Sequence, residues 1–213
     1  MEIIDTHLHI WDLDKFSLPW LDDEGEILNR TYLLEDYKKS LGENYQISKA
    51  VYVEVDSAQD QKDKENEYII DGELGDLYEL AKQCPDTTIV LDHMGIVDPD
   101  IISKKDPTIQ EQAYKEKWKH YLNQMGNLPN VYCKISGLNP KGEWDVETLR
   151  EPVNIAIEAF GEDKIIFASN FPVLHVAMSL EEWLKALLEI VEDREETMKQ
   201  KLFGDNAKRV YKL

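Results

Sequence analysis

Two histidines stand two residues apart near the start of the chain, in the run Asp5-Thr6-His7-Leu8-His9. Along an extended strand successive side chains face opposite ways, which puts Asp5, His7 and His9 on one side and Ile4, Thr6, Leu8 and Ile10 on the other. Two imidazoles on one side can share a metal ion, with the loop end of the strand leaving positions open for water and substrate. The plainer alternative for a bare His-x-His is the polar face of an edge strand. His93 supplies a third imidazole at the end of Ile89-Val90-Leu91-Asp92-His93, and parallel α/β folds hold ligands beyond that end of their strands. A satisfied histidine at a strand end is the alternative there. His120 lies off the apolar stripe of its helix and reads as a surface residue. His175 follows the last strand candidate and could reach the same rim or stay solvated. Cys84 and Cys133 are the only cysteines; neither sits in a CxxC pair, so they read as small core residues.

The elements that must position these groups alternate in kind. Five strand candidates, Glu2 to Ile10, Ile47 to Asp56, Thr87 to His93, Asn130 to Ser136 and Lys164 to Ser169, are β-branched or aromatic at their centres. Helical stripes lie between them, the pattern of a parallel sheet with crossover helices. Tyr114, Trp118, Tyr121, Leu122 and Met125 keep helical spacing, as do Leu149, Val153, Ala156, Ile157 and Phe160. So do Leu180, Trp183, Leu184, Leu187, Leu188 and Val191, behind a Ser179/Glu182 capping box. A shorter helix is expected near Tyr32 to Leu41, after a long loop from Trp11 to Arg30 that carries Trp11, Pro19 and Trp20. From Gln59 to Cys84 one stripe runs through Gly72 and Gly75, which reads as a long helix with a junction in it, since each interior glycine costs about 0.5 to 1 kcal/mol against alanine.

With 213 residues, 42% hydrophobic and 31% charged, the chain fits one packed domain spanning 1–213. A formal net charge of −19 repels phosphate backbones and anionic lipid heads, so neither nucleic acid nor membrane is an expected partner. No run approaches the roughly 18 apolar residues of a membrane span, and the start Met1-Glu2-Ile3-Ile4-Asp5 lacks the parts of a signal peptide. The expected location is therefore cytoplasmic.

Four segments stand in order along the chain: Asp5-Thr6-His7-Leu8-His9-Ile10-Trp11-Asp12, Leu91-Asp92-His93-Met94-Gly95, Val131 to Leu138 and Ile166-Phe167-Ala168-Ser169-Asn170-Phe171-Pro172-Val173. Taken together they resemble the amidohydrolase-related family of metal-dependent hydrolases. The closing Phe203 to Tyr211 is similar to that family's C-terminus. The resemblance implies an eight-stranded (β/α) barrel acting on small carboxylated or sugar-derived substrates. It also implies a divalent metal, zinc first, on His7, His9 and His93. Trp11, Trp20, Lys134 and His175 are the expected substrate contacts, and the Asn170 position is the catalytic one.

Two departures shape the expected function. Where the family pattern has the aspartate that binds metal and activates water, this chain has Asn170. Losing a general base costs about 10² to 10⁴ in rate, unless a neighbour such as Asp92, Glu54 or Asp56 stands in. The pattern also skips about three strand-helix units at Asp71 to Gly75, leaving about five strands, too few for a closed eight-stranded barrel. The expected fold is a partial TIM-like barrel whose edges are the second and third strands. Apolar residues there, among them Val51, Val53, Val55, Ile89 and Val90, call for a cover, and a homodimer is the simplest. Contact between the two edges within one chain is the alternative. The function expected is a hydrolase scaffold with an eroded active site, weakly active or inactive, that retains metal or small-ligand binding. The alternatives are a working hydrolase of lactone, amide or ester bonds using His7, His9 and His93, or a non-catalytic protein-interaction partner.

Overall fold

The computed structural model describes residues 2–14, 18–53 and 74–213. Its strands are β1 (Ile3–Leu8), β2 (Ile47–Tyr52), β3 (Ile89–Leu91), β4 (Val131–Ile135) and β5 (Ile165–Phe167). β1 pairs parallel with β2, and β4 pairs parallel with both β3 and β5. The two pieces are joined just past β5, where Asn170 N–H donates to His7 O at 2.9 Å, His9 N–H donates to Phe171 O at 2.7 Å, and Leu8 bridges Phe171 in parallel. The resulting order is β2-β1-β5-β4-β3. Among the described residues it is an open, all-parallel ribbon with β2 and β3 at its ends and no closed barrel, and no pairing joins β2 to β3.

The longer helices are α1 (Leu34–Ser40), α2 (Leu74–Gln83), α3 (Ile109–Gly126), α4 (Val146–Phe160), α5 (Leu180–Ile190) and the C-terminal α6 (Asn206–Tyr211). Residue type sets their starts. Thr108 caps α3 with Glu111 answering three residues on, and Ser179 caps α5 with Glu182 in the same reciprocal box; each cap is worth about 1 kcal/mol. The helical stripes bury Trp118, Leu122 and Met125 of α3, Val153 and Ala156 of α4 and Leu184 and Leu187 of α5 against Cys133, Ile135, Ile165 and Phe167 of the strands. Each aliphatic side chain so buried contributes roughly 1.5 to 3 kcal/mol. The opposite face of the ribbon is covered differently: Ile4 and Ile166 meet Ala207 of α6, with Tyr132, Val210 and Tyr211 around them. Among the described residues no helix is long and apolar enough to cross a membrane.

Several sequence expectations change here. β1 is flanked on both sides and buried along its whole length, so the His-x-His is not the polar face of an edge strand. Its register also slips between Asp5 and Leu8. The Asp5 carboxylate meets Tyr37 of α1 while the His7 ring meets Lys134, so simple alternation does not hold through this stretch. The third strand stops at Leu91 because His93 (φ 53°), Met94 (φ 54°) and Ile96 (φ 54°) enter the left-handed region, which no strand can follow. The second strand ends at Tyr52, and Glu54 and Asp56 lie outside the described residues. Of the long helix expected from Gln59 to Cys84, Leu74–Gln83 is helical and the part before residue 74 lies outside them.

Candidate active site

The ends of β1, β3 and β4 bring three imidazoles together. His7 Nε2 lies 2.9 Å from His9 Nε2, and the rings of His7 and His93 are 4.3 Å apart between centroids. Each ring is held at its Nδ1: His9 by Val53 O at 3.0 Å, His93 by Ser136 Oγ at 2.8 Å, and His7 by Lys134 Nζ at 3.1 Å. An oxygen at Nδ1 that accepts its proton leaves Nε2 open to ligate, the usual arrangement behind a ligating histidine, and Val53 O and Ser136 Oγ can serve His9 and His93 in that way. Burial first, and then the neighbouring His7, push the His93 imidazole down to about 3, so it is neutral at ordinary pH.

Lys134 is 4% exposed and also reaches Asp92 Oδ1 at 2.7 Å; that oxygen lies 3.5 Å from His7 Nδ1. Burial works to raise the Asp92 carboxyl, but the neighbouring His7 imidazole and the Lys134 ammonium outweigh it and hold the carboxyl well below the usual carboxylate range. A carboxylate so committed is a poor proton acceptor, which weakens the case for Asp92 as a substitute base.

Asn170 follows β5 in a left-handed conformation, φ 59°, which asparagine tolerates better than most residues. Its main chain is docked on His7 through the bond to His7 O. Beneath this junction the buried Asp5 carboxylate accepts from His7 N–H at 3.1 Å and Ser169 N–H at 2.9 Å on Oδ1, and from Tyr37 OH at 2.8 Å on Oδ2. Burial raises the Asp5 carboxyl against the pull of these donors. One side chain thus ties the histidine strand to the strand that delivers Asn170.

The remaining substrate candidates gather elsewhere. Trp11 is buried, its N–H donates to Arg30 O at 2.7 Å, and its ring meets Trp20 and Tyr32 edge-on at 5.7 and 5.5 Å. His175 is half-buried rather than solvated, stacked on Tyr32 at 5.9 Å and edge-on to Phe171 at 5.2 Å. Phe171 links this aromatic group to the histidines, being the neighbour of Asn170 and the backbone partner of His9. Lys134 is therefore the one of the four that enters the histidine cluster, while Trp11 has its polar atom already committed. Sequence reasoning passed over Ser136 and Tyr37. Ser136 stands two residues after Lys134, the spacing that puts both on one face of β4, and that was the available signal. His120 is exposed, as its place off the helix stripe implied.

The family model for amidohydrolases matches residues 72–213. The uncharacterised protein y4mH of Sinorhizobium fredii is 24% identical over an alignment of 304 residues that takes in 99% of this chain and 98% of that protein. Its alignment exceeds the 213 residues of this chain by about 90, roughly three strand-helix units at about 30 residues each. An L-fucono-1,5-lactonase of Burkholderia multivorans is 26% identical over 161 residues, 70% of this chain and 52% of that protein; this chain thus spans about half the lactonase's length. An amidohydrolase of Burkholderia multivorans, solved with HEPES and with zinc bound, superposes with TM-scores of 0.77 and 0.75 at 19% identity, covering all of both chains. A shared fold, an ordered set of strand-end motifs and a matching family model over two-thirds of its length make this chain a member of the amidohydrolase family, shortened within its barrel.

Proposed function

We propose that the chain is an amidohydrolase scaffold with an eroded hydrolytic centre: it keeps a three-histidine cation site and turns over lactone-type substrates weakly or not at all. The single observation that carries this reading is Asn170 beside His7, where the family pattern calls for aspartate. A carboxylate there would take a proton from water; an amide has no basic lone pair to do so.

Among the described residues no group of three or more His, Cys, Asp or Glu has the geometry of a bound ion as it stands; the support for a divalent ion comes from the His7–His9 pair. Two imidazole nitrogens on one zinc, at about 2.0 to 2.1 Å and near-tetrahedral angles, stand about 3.3 Å apart, and the Nε2 atoms of His7 and His9 are within a few tenths of that at 2.9 Å. His93, neutral and held at Nδ1, offers the third nitrogen. When bound, such an ion would polarise a carbonyl and acidify water. What the chain itself supplies is orientation: Val53 O and Ser136 Oγ fix the rings of His9 and His93 at Nδ1, while the half-buried His175 stands one aromatic contact away, against Phe171. The lactonase relative points to a sugar-acid lactone as the substrate class to try first. The missing strand-helix units would have supplied further pocket walls, and positioning can be worth about 7 to 11 kcal/mol. The shortened ribbon is proposed to be covered by a second copy of the chain.

The convergence of the histidines favours one competing reading, a working hydrolase with a base drawn from elsewhere. Metal content of the purified protein, with turnover on a lactone panel, separates the two. Bound zinc with turnover near background supports the eroded centre, whereas clear turnover that His7→Ala abolishes favours the working enzyme.

A further inference from the structure

We infer that Lys134 is a positioning residue that fixes the tautomer of His7 and so sets the cluster against cations, an inference that rests on the reading of His7, His9 and His93 as a cation site. The three Nδ1 partners differ in kind. A carbonyl only accepts, so His9 carries its proton on Nδ1, toward Val53 O, and leaves Nε2 as a lone pair. A serine hydroxyl can donate or accept, so Ser136 is compatible with either form of His93. An ammonium only donates, and Lys134, ion-paired with Asp92 at 2.7 Å, donates to His7 Nδ1 at 3.1 Å. The His7 proton then belongs on Nε2, where His9 Nε2 waits at 2.9 Å to accept it. A chain runs from Lys134 through His7 and His9 to Val53 O, each of its three links pairing a donor with an acceptor.

In that state His7 has no free lone pair on Nε2 and cannot ligate through it. The opposite tautomer has its own acceptor in place, since Asp92 Oδ1 lies 3.5 Å from the same Nδ1. That distance is too long for a good bond as it stands, but a small ring rotation closes it. A carboxylate behind a histidine is also the common support of a metal ligand. Lys134 and Asp92 therefore compete for one ring nitrogen, the first favouring a closed hydrogen-bonded cluster and the second a ligating histidine. The lysine charge, 3.1 Å from the ring, adds direct repulsion toward a cation.

The test reads the tautomer directly. In the full-length, metal-free protein labelled with ¹⁵N, imidazole spectra should show His7 protonated on Nε2, and Lys134→Met should move the proton to Nδ1. Zinc titrated by calorimetry should bind Lys134→Met at least about 10-fold more tightly than the unmodified protein, the size of effect typical of groups that support metal ligands. Lys134→Arg, which keeps a charged donor, should not gain. An Nδ1-protonated His7 in the unmodified protein, or equal zinc affinity with and without Lys134, would overturn the inference. If no variant binds zinc, the cation-site reading fails, and the His7 tautomer alone then judges Lys134. Should Lys134→Met not fold, the spectrum of the unmodified protein carries the test.

Discussion

At the scale of single residues, the histidine cluster depends on small clearances. Gly137 follows the strand that carries Lys134 and Ser136, at φ 71°, and a Cβ placed there would stand 2.5 Å from His93 Cβ and 2.6 Å from His93 Cγ. Gly137→Ala should therefore displace His93 and weaken zinc binding by about 10- to 100-fold, while the strained backbone costs about 1 to 3 kcal/mol of stability. Calorimetry with zinc and thermal unfolding check the two effects, and unchanged zinc affinity would separate His93 from the site. The convergence of His7, His9 and His93 was legible in the sequence because two-residue spacing and strand-end position are local signals. The hold of Lys134 on His7 was not, because 127 positions separate the two and only the folded order of β1, β5 and β4 brings them within reach. Nor was the Asp5 junction, since the slip in β1 turns that carboxylate toward Tyr37 rather than along with the histidines.

At the scale of elements, helix starts and close crossings make separate predictions. Glu111 is held well down, to about 2, first by Lys104 and then by the Thr108 backbone and hydroxyl of its own capping box. A carboxyl whose folded value is lowered stabilises the fold above its unfolded value, and that contribution fades as pH falls. The stability of the protein should thus decline between about 4.5 and about 2 in part through this group. Glu111→Gln should flatten that part of the profile in urea titrations at stepped pH, and an unchanged slope would count against the box. A harsher case is the end of α3, where a Cβ on Gly126 would collide with the backbone carbonyl of Ala159 on α4. Backbone cannot give way as a flexible side chain can, so Gly126→Ala should cost about 1 to 3 kcal/mol or more, read as a lowered denaturation midpoint. The α3 and α5 stripes and the Ser179/Glu182 box could be read from the sequence because helical period and caps are local, and the Thr108/Glu111 box was passed over. The left-handed run that ends β3 could not, since residues such as Met94 and Ile96 carry no preference for that conformation and hold it only because the fold around them does.

At the scale of the whole molecule, the ribbon ends in two unclosed strands. Among the described residues the outer edge of β2 is unpaired, with Lys49, Ala50 and Tyr52 exposed, and Ile89 and Val90 of β3 are only half-buried. A second copy covering one or both edges should bury about 2,000 Å² or more if the pairing is obligate. Sedimentation equilibrium at micromolar concentration should then report about twice the 24.8 kDa chain mass, and a monomer mass would reject that arrangement. The order of the strands was readable from motif order, but how the edges are covered was not, because pairing between copies leaves no periodic trace in one sequence. On the proposed reading, the shortened barrel and Asn170 bear on one quantity, lactone turnover. Steady-state turnover of L-fucono-1,5-lactone, with zinc supplied, by the unmodified protein, Asn170→Asp and His7→Ala measures it. The unmodified protein should stay near background and Asn170→Asp should raise kcat/KM at least about 100-fold, the lower range of what a general base provides; clear turnover by the unmodified protein that disappears in His7→Ala would contradict the eroded centre.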